Sequence, residues 1–206
     1  MNTLGKLTNS FRHEAYITAL RNPNIPLVLA TGPAGTGKTK LACNVALEQL
    51  TDNKYERLVM TRPTVPVGGE NIGYLPGDMN EKLYPWLSHV MEYVDMYKLR
   101  FVQSKIDMMS LSYIRGETWH NKWIIADEMQ NSTPLQMKTL LTRVGQNTKL
   151  VITGDLTQCD TENPNNGLYD LLQRLDIDSD FVESVEFTTD DIRRSDFVKH
   201  ILTLYT

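Results

Sequence analysis

An α/β fold, a mainly parallel sheet with helices on both faces, is what this sequence predicts, and three observations predict it. Short apolar runs alternate with segments whose apolar residues recur every three or four positions, the pattern of strands alternating with helices. The run Gly32-Pro-Ala-Gly-Thr-Gly-Lys38-Thr39 stands between the first such strand and the first long helix, a place suited to an anion-binding turn. The polar groups Asp127-Glu128 and Gly154-Asp155-Leu-Thr-Gln158 each follow an apolar run, and ligands in parallel sheets sit at the carboxyl ends of the strands.

The elements follow in order. Residues 1–22 form a helical lead-in, with a short helix over about 11–21. Ile25-Pro-Leu-Val-Leu-Ala30 reads as a buried strand, and Leu41, Ala42, Val45, Ala46 and Leu50 mark the buried face of a helix over 38–50. Arg57-Leu-Val-Met-Thr-Arg62 is a second strand. Residues 63–78 hold three Pro and four Gly, so they form a long loop, of the kind that is usually functional or mobile. Residues 82–98 read as a helix with Leu83, Trp86, Leu87, Val90, Met91 and Val94 on one face, and Pro85 starts or kinks it. Residues 106–114 fit neither template. Trp123-Ile-Ile-Ala-Asp127 is a strand. Thr133-Pro134-Leu135-Gln136 is a capping box with Pro at the first helical position, and Gly145 is expected to close that helix. Lys149–Thr153 is the next strand, Leu168, Leu171, Leu172 and Leu175 mark a helix, 181–187 a fifth strand and 196–206 a final helix.

At 206 residues, 41% of them hydrophobic, the chain reads as one domain with a sizeable core. It has no run of eighteen apolar residues, and its first ten residues lack the apolar core of a signal peptide. No membrane association and a cytoplasmic location are therefore expected. Cys43 and Cys159 show no CxxC spacing and read as free thiols, and His13, His89, His120 and His200 are scattered, which excludes an evident zinc site. The net charge of −4 gives no support to strong non-specific nucleic-acid binding by a monomer. A local basic surface, or one assembled in an oligomer, stays open.

Four groups of residues carry chemistry. Gly32, Pro33, Ala34, Gly35, Thr36, Gly37, Lys38 and Thr39 fit G-x-x-x-x-G-K-[ST]. Glycines in this spacing let the backbone curl its N–H groups around a phosphate. Lys38 adds a charge near the β- and γ-phosphates, Thr39 can ligate Mg²⁺, and the following helix points its positive end at the same place. A Gly-rich surface turn is the bland alternative, and the flanking strand and helix argue against it. Asp127 can hold Mg²⁺ and Glu128 can polarise an attacking water, as against an acidic pair that merely caps a helix. Gln158 can orient that water or sense the γ-phosphate, as against an Asx-type turn in 155–158. Arg193, Arg194 and Arg115 are candidates for an arginine finger, as against solvated surface residues.

Together these residues resemble the PhoH-like proteins, a branch of P-loop ATPases akin to superfamily 1 helicase cores. The resemblance rests on Gly32–Thr39; Thr61-Arg-Pro with Gly73-Tyr-Leu-Pro-Gly-Asp78; Tyr113-Ile-Arg-Gly116; Ile125-Ala-Asp-Glu-Met-Gln-Asn131; Leu141-Thr-Arg-Val-Gly145; Thr153–Gln158; and Phe187 to Arg193, in the family's order over about residues 12–206. It implies a three-layer αβα, RecA-like ATPase that uses ATP and Mg²⁺. It also implies a homo-oligomer, a ring and by family habit a hexamer, linked to RNA or other single-stranded nucleic acid. The chain looks like a minimal ATPase core, as in phage-encoded versions, which would work in the host cytoplasm. Relatives often place a Gln before the first strand to read adenine; His13 stands at that position here, and Tyr16 could stack on a base. The segment Val65-Pro-Val-Gly-Gly-Glu70 departs from the family's usual spacing. Because one RecA-like domain leaves the γ-phosphate open on one side, the resemblance implies a site shared between subunits, with Arg193 the leading finger and Arg115 the runner-up. Two other readings stay open: a nucleotide-binding scaffold or switch with little turnover, and a small-molecule kinase.

Overall fold

Six parallel strands form one sheet in the order β3-β2-β4-β5-β1-β6. They are β1 Leu27–Thr31, β2 Arg57–Arg62, β3 Ile106–Ser110, β4 Lys122–Ala126, β5 Lys149–Gly154 and β6 Val182–Glu186. The structure is a computed structural model, and it describes residues 10–63, 91–92, 94–95, 99–111, 114, 116, 118–158, 166–175 and 179–192. The helices within that range are α1 Phe11–Arg21, α2 Lys38–Thr51, α3 Pro134–Leu141 and α4 Gly167–Arg174. The loop over 64–78, most of the helix expected over 82–98, the helix expected over 196–206, and Arg115, Arg193, Arg194 and Cys159 lie outside the described residues.

The strand pattern explains the three layers. Side chains alternate across a sheet, and here both faces are apolar, as parallel sheets require. Val28, Ala30, Leu58, Met60, Trp123, Ile125 and Val151 pack with α1 and α2 in one core. Leu29, Val59, Ile124, Ala126, Leu150 and Ile152 pack with Met137 and Leu140 of α3 and Leu168 and Leu171 of α4 in the other. Among the described residues no helix is long and apolar enough to cross a membrane.

The strands also share one carboxyl edge. Thr31 lies opposite Gly154, Ala126 opposite Ile152, and Thr61 opposite Ala126. Whatever follows these residues is therefore gathered along one line. Glycine is needed at Gly32, the first residue past β1: its φ is 122°, and a Cβ there would stand 2.2 Å from the Phe187 carbonyl oxygen.

One expectation is corrected, and one segment left open is resolved. The capping box at Thr133 and Gln136 forms as read, with both reciprocal bonds present. The helix it starts nevertheless ends at Leu141 with Thr142 as its cap, so Gly145 does not close it. Gly145 serves a close approach instead, since a Cβ there would stand 2.5 Å from the Trp119 carbonyl oxygen and 2.7 Å from the His120 ring. Residues 106–110, which fit neither template, are the edge strand β3; its Ile-Asp-Met-Met-Ser sequence is only half-buried, so neither alternation nor a solid apolar run develops.

Lys149 is an unexpected core member. It is 1% exposed, and its Nζ donates to the carbonyls of Ala19 at 3.0 Å, Asn22 at 2.7 Å and Ile25 at 2.5 Å. Burial pushes its pKa down to about 8. The ammonium thus caps the end of α1 and fixes the turn into β1 from the neighbouring strand β5. Lys149→Met keeps the length and strands these acceptors, each a cost of about 1–3 kcal/mol when buried. We expect a stability loss of about 3 kcal/mol, seen as a lower denaturant midpoint at unchanged slope; a loss within about 0.5 kcal/mol would mean that water replaces the ammonium.

Candidate nucleotide site

The loop between β1 and α2 is a left-handed curl. Gly32, Gly35 and Gly37 have φ of 122°, 83° and 90°, a region that other residues enter only at a cost. Lys38 and Thr39 open α2, so the helix's unpaired N–H groups face the same space as the loop. Lys38 folds back over the curl: its Nζ donates to the Gly32 carbonyl at 2.6 Å, the Pro33 carbonyl at 2.8 Å and Thr36 Oγ1 at 3.4 Å. Burial lowers the Lys38 pKa from its ordinary value, and the carboxylates of Asp155, Asp127 and Glu128 oppose that shift. The ammonium is therefore a cation held among anions at the focus of the loop, and it closes the loop as well as facing the cavity.

Asp127 follows β4 directly. Its Oδ1 accepts from Thr39 Oγ1 at 2.8 Å and also from the hydroxyl of Thr153 on β5. One carboxylate oxygen therefore joins the strand that carries the acid, the helix that follows the loop, and the strand between them. Its own N–H donates to the Thr61 carbonyl at 2.9 Å, which fixes the backbone at the strand end. Glu128 next to it is left-handed, with φ of 55°. This conformation swings its side chain out of the line of the strand, and Gln130 Nε2 donates to its Oε2 at 2.6 Å.

The third segment sits at the end of β5. The Asx-type turn is present: Asp155 Oδ1 accepts from the Thr157 N–H at 3.0 Å and from the Thr157 hydroxyl at 2.7 Å. The Gln158 N–H closes the turn onto the Asp155 carbonyl at 3.1 Å. The turn presents the exposed Gln158 to the cavity, so the Asx-type turn and a cavity-facing Gln158 occur together. The cavity measures about 560 Å³ and runs from the loop past Asp127, Glu128 and Asp155 to Arg62 at the end of β2.

His13 and Tyr16 do not line it. His13 is 1% exposed. Its Nε2 lies 2.9 Å from the Thr36 carbonyl and its Nδ1 2.7 Å from Ser10 Oγ. A carbonyl only accepts, so Nε2 carries the proton and braces the phosphate loop from behind. Tyr16 is fully buried, with its ring edge-on to Phe187 at 5.6 Å. The expectation that it stacks on a base is corrected: three residues along the helix from His13, it lies on the inward face of α1, in the core. Gln130 and Thr153 lie in stretches that carry the family resemblance but were given no role of their own, and Ser10 was given none either. The signal for Gln130 is its place in the matched stretch Ile125–Asn131, two residues beyond Glu128.

The donors present fit a nucleotide with Mg²⁺. Magnesium prefers hard oxygen ligands, one or two carboxylates plus the substrate's phosphates. Asp127 and Thr39 supply such a pair beside the loop, and among the described residues no group of three or more His, Cys, Asp or Glu forms a separate metal cage.

Fold and site together define a domain of the P-loop nucleotide-binding class: the loop after β1, its lysine in the curl, its threonine bonded to an acid two strands away. The chain belongs to the PhoH-like protein family, whose model matches residues 7–206. It is similar to a PhoH-like protein of Synechocystis, 36% identical over 95% of this chain and 61% of the relative. It is also similar to protein PhoH of Escherichia coli K12, 36% identical over 95% of this chain and 57% of the relative. Protein PhoH2 of Bacillus subtilis is 41% identical over 75% of this chain and 38% of its own length. The chain thus spans about three fifths of the first two relatives. Among solved structures, a Sulfolobus solfataricus SWI2/SNF2 ATPase core in complex with double-stranded DNA matches 69% of this chain and 30% of its own, at 16% identity and a TM-score of 0.44.

Proposed function

We propose that this chain is a Mg²⁺-dependent ATPase that works with RNA or another single-stranded nucleic acid. The observation that carries the reading is the 2.8 Å bond from Thr39 to Asp127 at the mouth of the loop that holds Lys38. Those three side chains are what a triphosphate with its metal needs, and Glu128 stands next to them for the water.

In this reading the loop amides and the start of α2 bind the β- and γ-phosphates, and Lys38 exchanges its loop carbonyls for phosphate oxygens. Thr39 and Asp127 hold Mg²⁺, which when bound neutralises charge on those phosphates. Glu128 takes the proton of the attacking water, and Gln158 orients that water against the γ-phosphate. The test is ATP turnover by the purified chain with RNA, with single-stranded DNA and with no polymer, each with and without chelator. Turnover that needs Mg²⁺ and rises with polymer is expected. Binding without turnover would make the chain a scaffold or switch, and transfer of phosphate to a small acceptor would make it a kinase.

The same reading extends to assembly. Charge builds up on the side of the γ-phosphate away from the loop, and a cation there gives about 10³–10⁵ in rate. We assign that cation to Arg193 of a neighbouring copy in a homo-oligomeric ring, with Arg115 second. Arg193→Ala and Glu128→Gln proteins, each inactive alone, should regain part of the activity when mixed. If subunits exchange and activity stays absent, the finger acts within its own subunit or is another residue.

A further inference from the structure

Gln130 is 1% exposed and lies between two functional segments. The Asp155 N–H donates to its Oε1 at 3.1 Å, and its Nε2 donates to Glu128 Oε2 at 2.6 Å. A backbone N–H can only donate, so this bond fixes which way round the amide sits and turns the NH₂ group to the carboxylate. The strand end is shaped to allow it. A Cβ on Gly154 would stand 2.9 Å from Gln130 Oε1 and 2.5 Å from Leu168 Cδ2, so only glycine there leaves room for the amide. On its far side Asp155 is not loose either, because its turn is locked by Thr157 and Gln158.

We propose that Gln130 is a positioning residue that ties Glu128 to the 155–158 turn, so that the base and Gln158 hold one fixed relation across the cavity. The proposal rests on the ATPase reading above and adds to it a residue that touches neither phosphate nor water. Glu128 needs such a partner. Its left-handed backbone aims the side chain into open cavity, where a carboxylate with free rotamers would spend little time in line with the attacking water. A bond from a buried amide selects one rotamer, and misplacement of a catalytic group by about 1 Å can cost about 10² in rate.

Two substitutions and one measurement without turnover test this. Gln130→Met keeps length and volume and removes both bonds. Its kcat should fall about 10- to 100-fold while KM for ATP changes less than about threefold, because the phosphate-binding groups are untouched. Gln130→Glu keeps an acceptor for the Asp155 N–H but sets a carboxylate against Glu128. Its kcat should fall at least as far as that of Gln130→Met, because the new carboxylate repels the one it was meant to hold. A packing role alone would not give the KM-against-kcat split, and the absence of that split overturns the proposal. Amide hydrogen exchange at Asp155 needs no turnover. It should quicken about tenfold or more in Gln130→Met, since the bond that protects it is gone. An unchanged rate overturns the link. If wild type hydrolyses no ATP, the ATPase reading fails on its own, and exchange at Asp155 still decides whether Gln130 holds the turn.

Discussion

Lys38→Ala should abolish measurable triphosphate turnover while the sheet stays folded. The ammonium sits inside the curl of the loop, within 2.6 to 2.8 Å of two of its carbonyls. Removing one preorganised donor to developing charge typically costs about 10²–10³ in rate. Here the loss should be at the upper end, because binding of the ground-state triphosphate weakens as well. Read from the sequence, Lys38 has one task, a charge near the β- and γ-phosphates. The structure gives it a second task, since it also ties Gly32 and Pro33 to the start of α2. Lys38→Ala should therefore loosen the loop locally, and thermal unfolding should shift only slightly, as neither core contains the side chain. Circular dichroism with a turnover assay checks both halves. Wild-type turnover in the variant would remove the loop from the site altogether.

Glu128→Gln should bind ATP with Mg²⁺ as tightly as wild type and hydrolyse it about 10²–10⁴ times more slowly, the usual worth of a general base. The amide oxygen can accept from Gln130 Nε2 as the carboxylate does, so the local geometry survives and only the proton acceptor is lost. Asp127 behaves differently. Its oxygen holds two hydroxyls from different elements, so Asp127→Asn should weaken metal-dependent binding as well as rate. Equilibrium binding beside single-turnover kinetics separates the two. Should Glu128→Gln lose binding but keep its rate per bound ATP, the roles of the two acids would be reversed.

The residues that sequence reasoning placed correctly are those whose chemistry is written in short spacing. The Gly32–Thr39 curl, the four strands with apolar runs (β1, β2, β4 and β5), and the two polar clusters past β4 and β5 all depend on near neighbours. What escaped depends on partners far along the chain. Lys149 looks like any strand-initial lysine until α1 is laid across it, 130 residues earlier. Gln130 has meaning only once the Asp155 amide, 25 residues on, comes into reach. Tyr16 was misread because an aromatic near a phosphate loop invites a role with a base, whereas the face of α1 it occupies is decided by packing against Phe187. Gly145 was misread for a similar reason: its freedom is used for the approach of Trp119 and His120, which no local pattern announces.

The position of β5 has a consequence for the growing chain. β1 pairs only with β5 and β6, whereas β2, β3 and β4 pair among themselves before β4 meets β5. A nascent polypeptide that has passed Glu128 already contains Lys38, Thr39, Asp127 and the base, yet its first strand has no strand beside it. The three-strand half that carries the acid cannot be brought up to the loop until Lys149–Gly154 has left the ribosome and slid between them. Nucleotide binding during synthesis would therefore appear abruptly with that strand, and a ribosome-stalled chain ending shortly after Glu128 would hold both halves of the site and no grip on ATP.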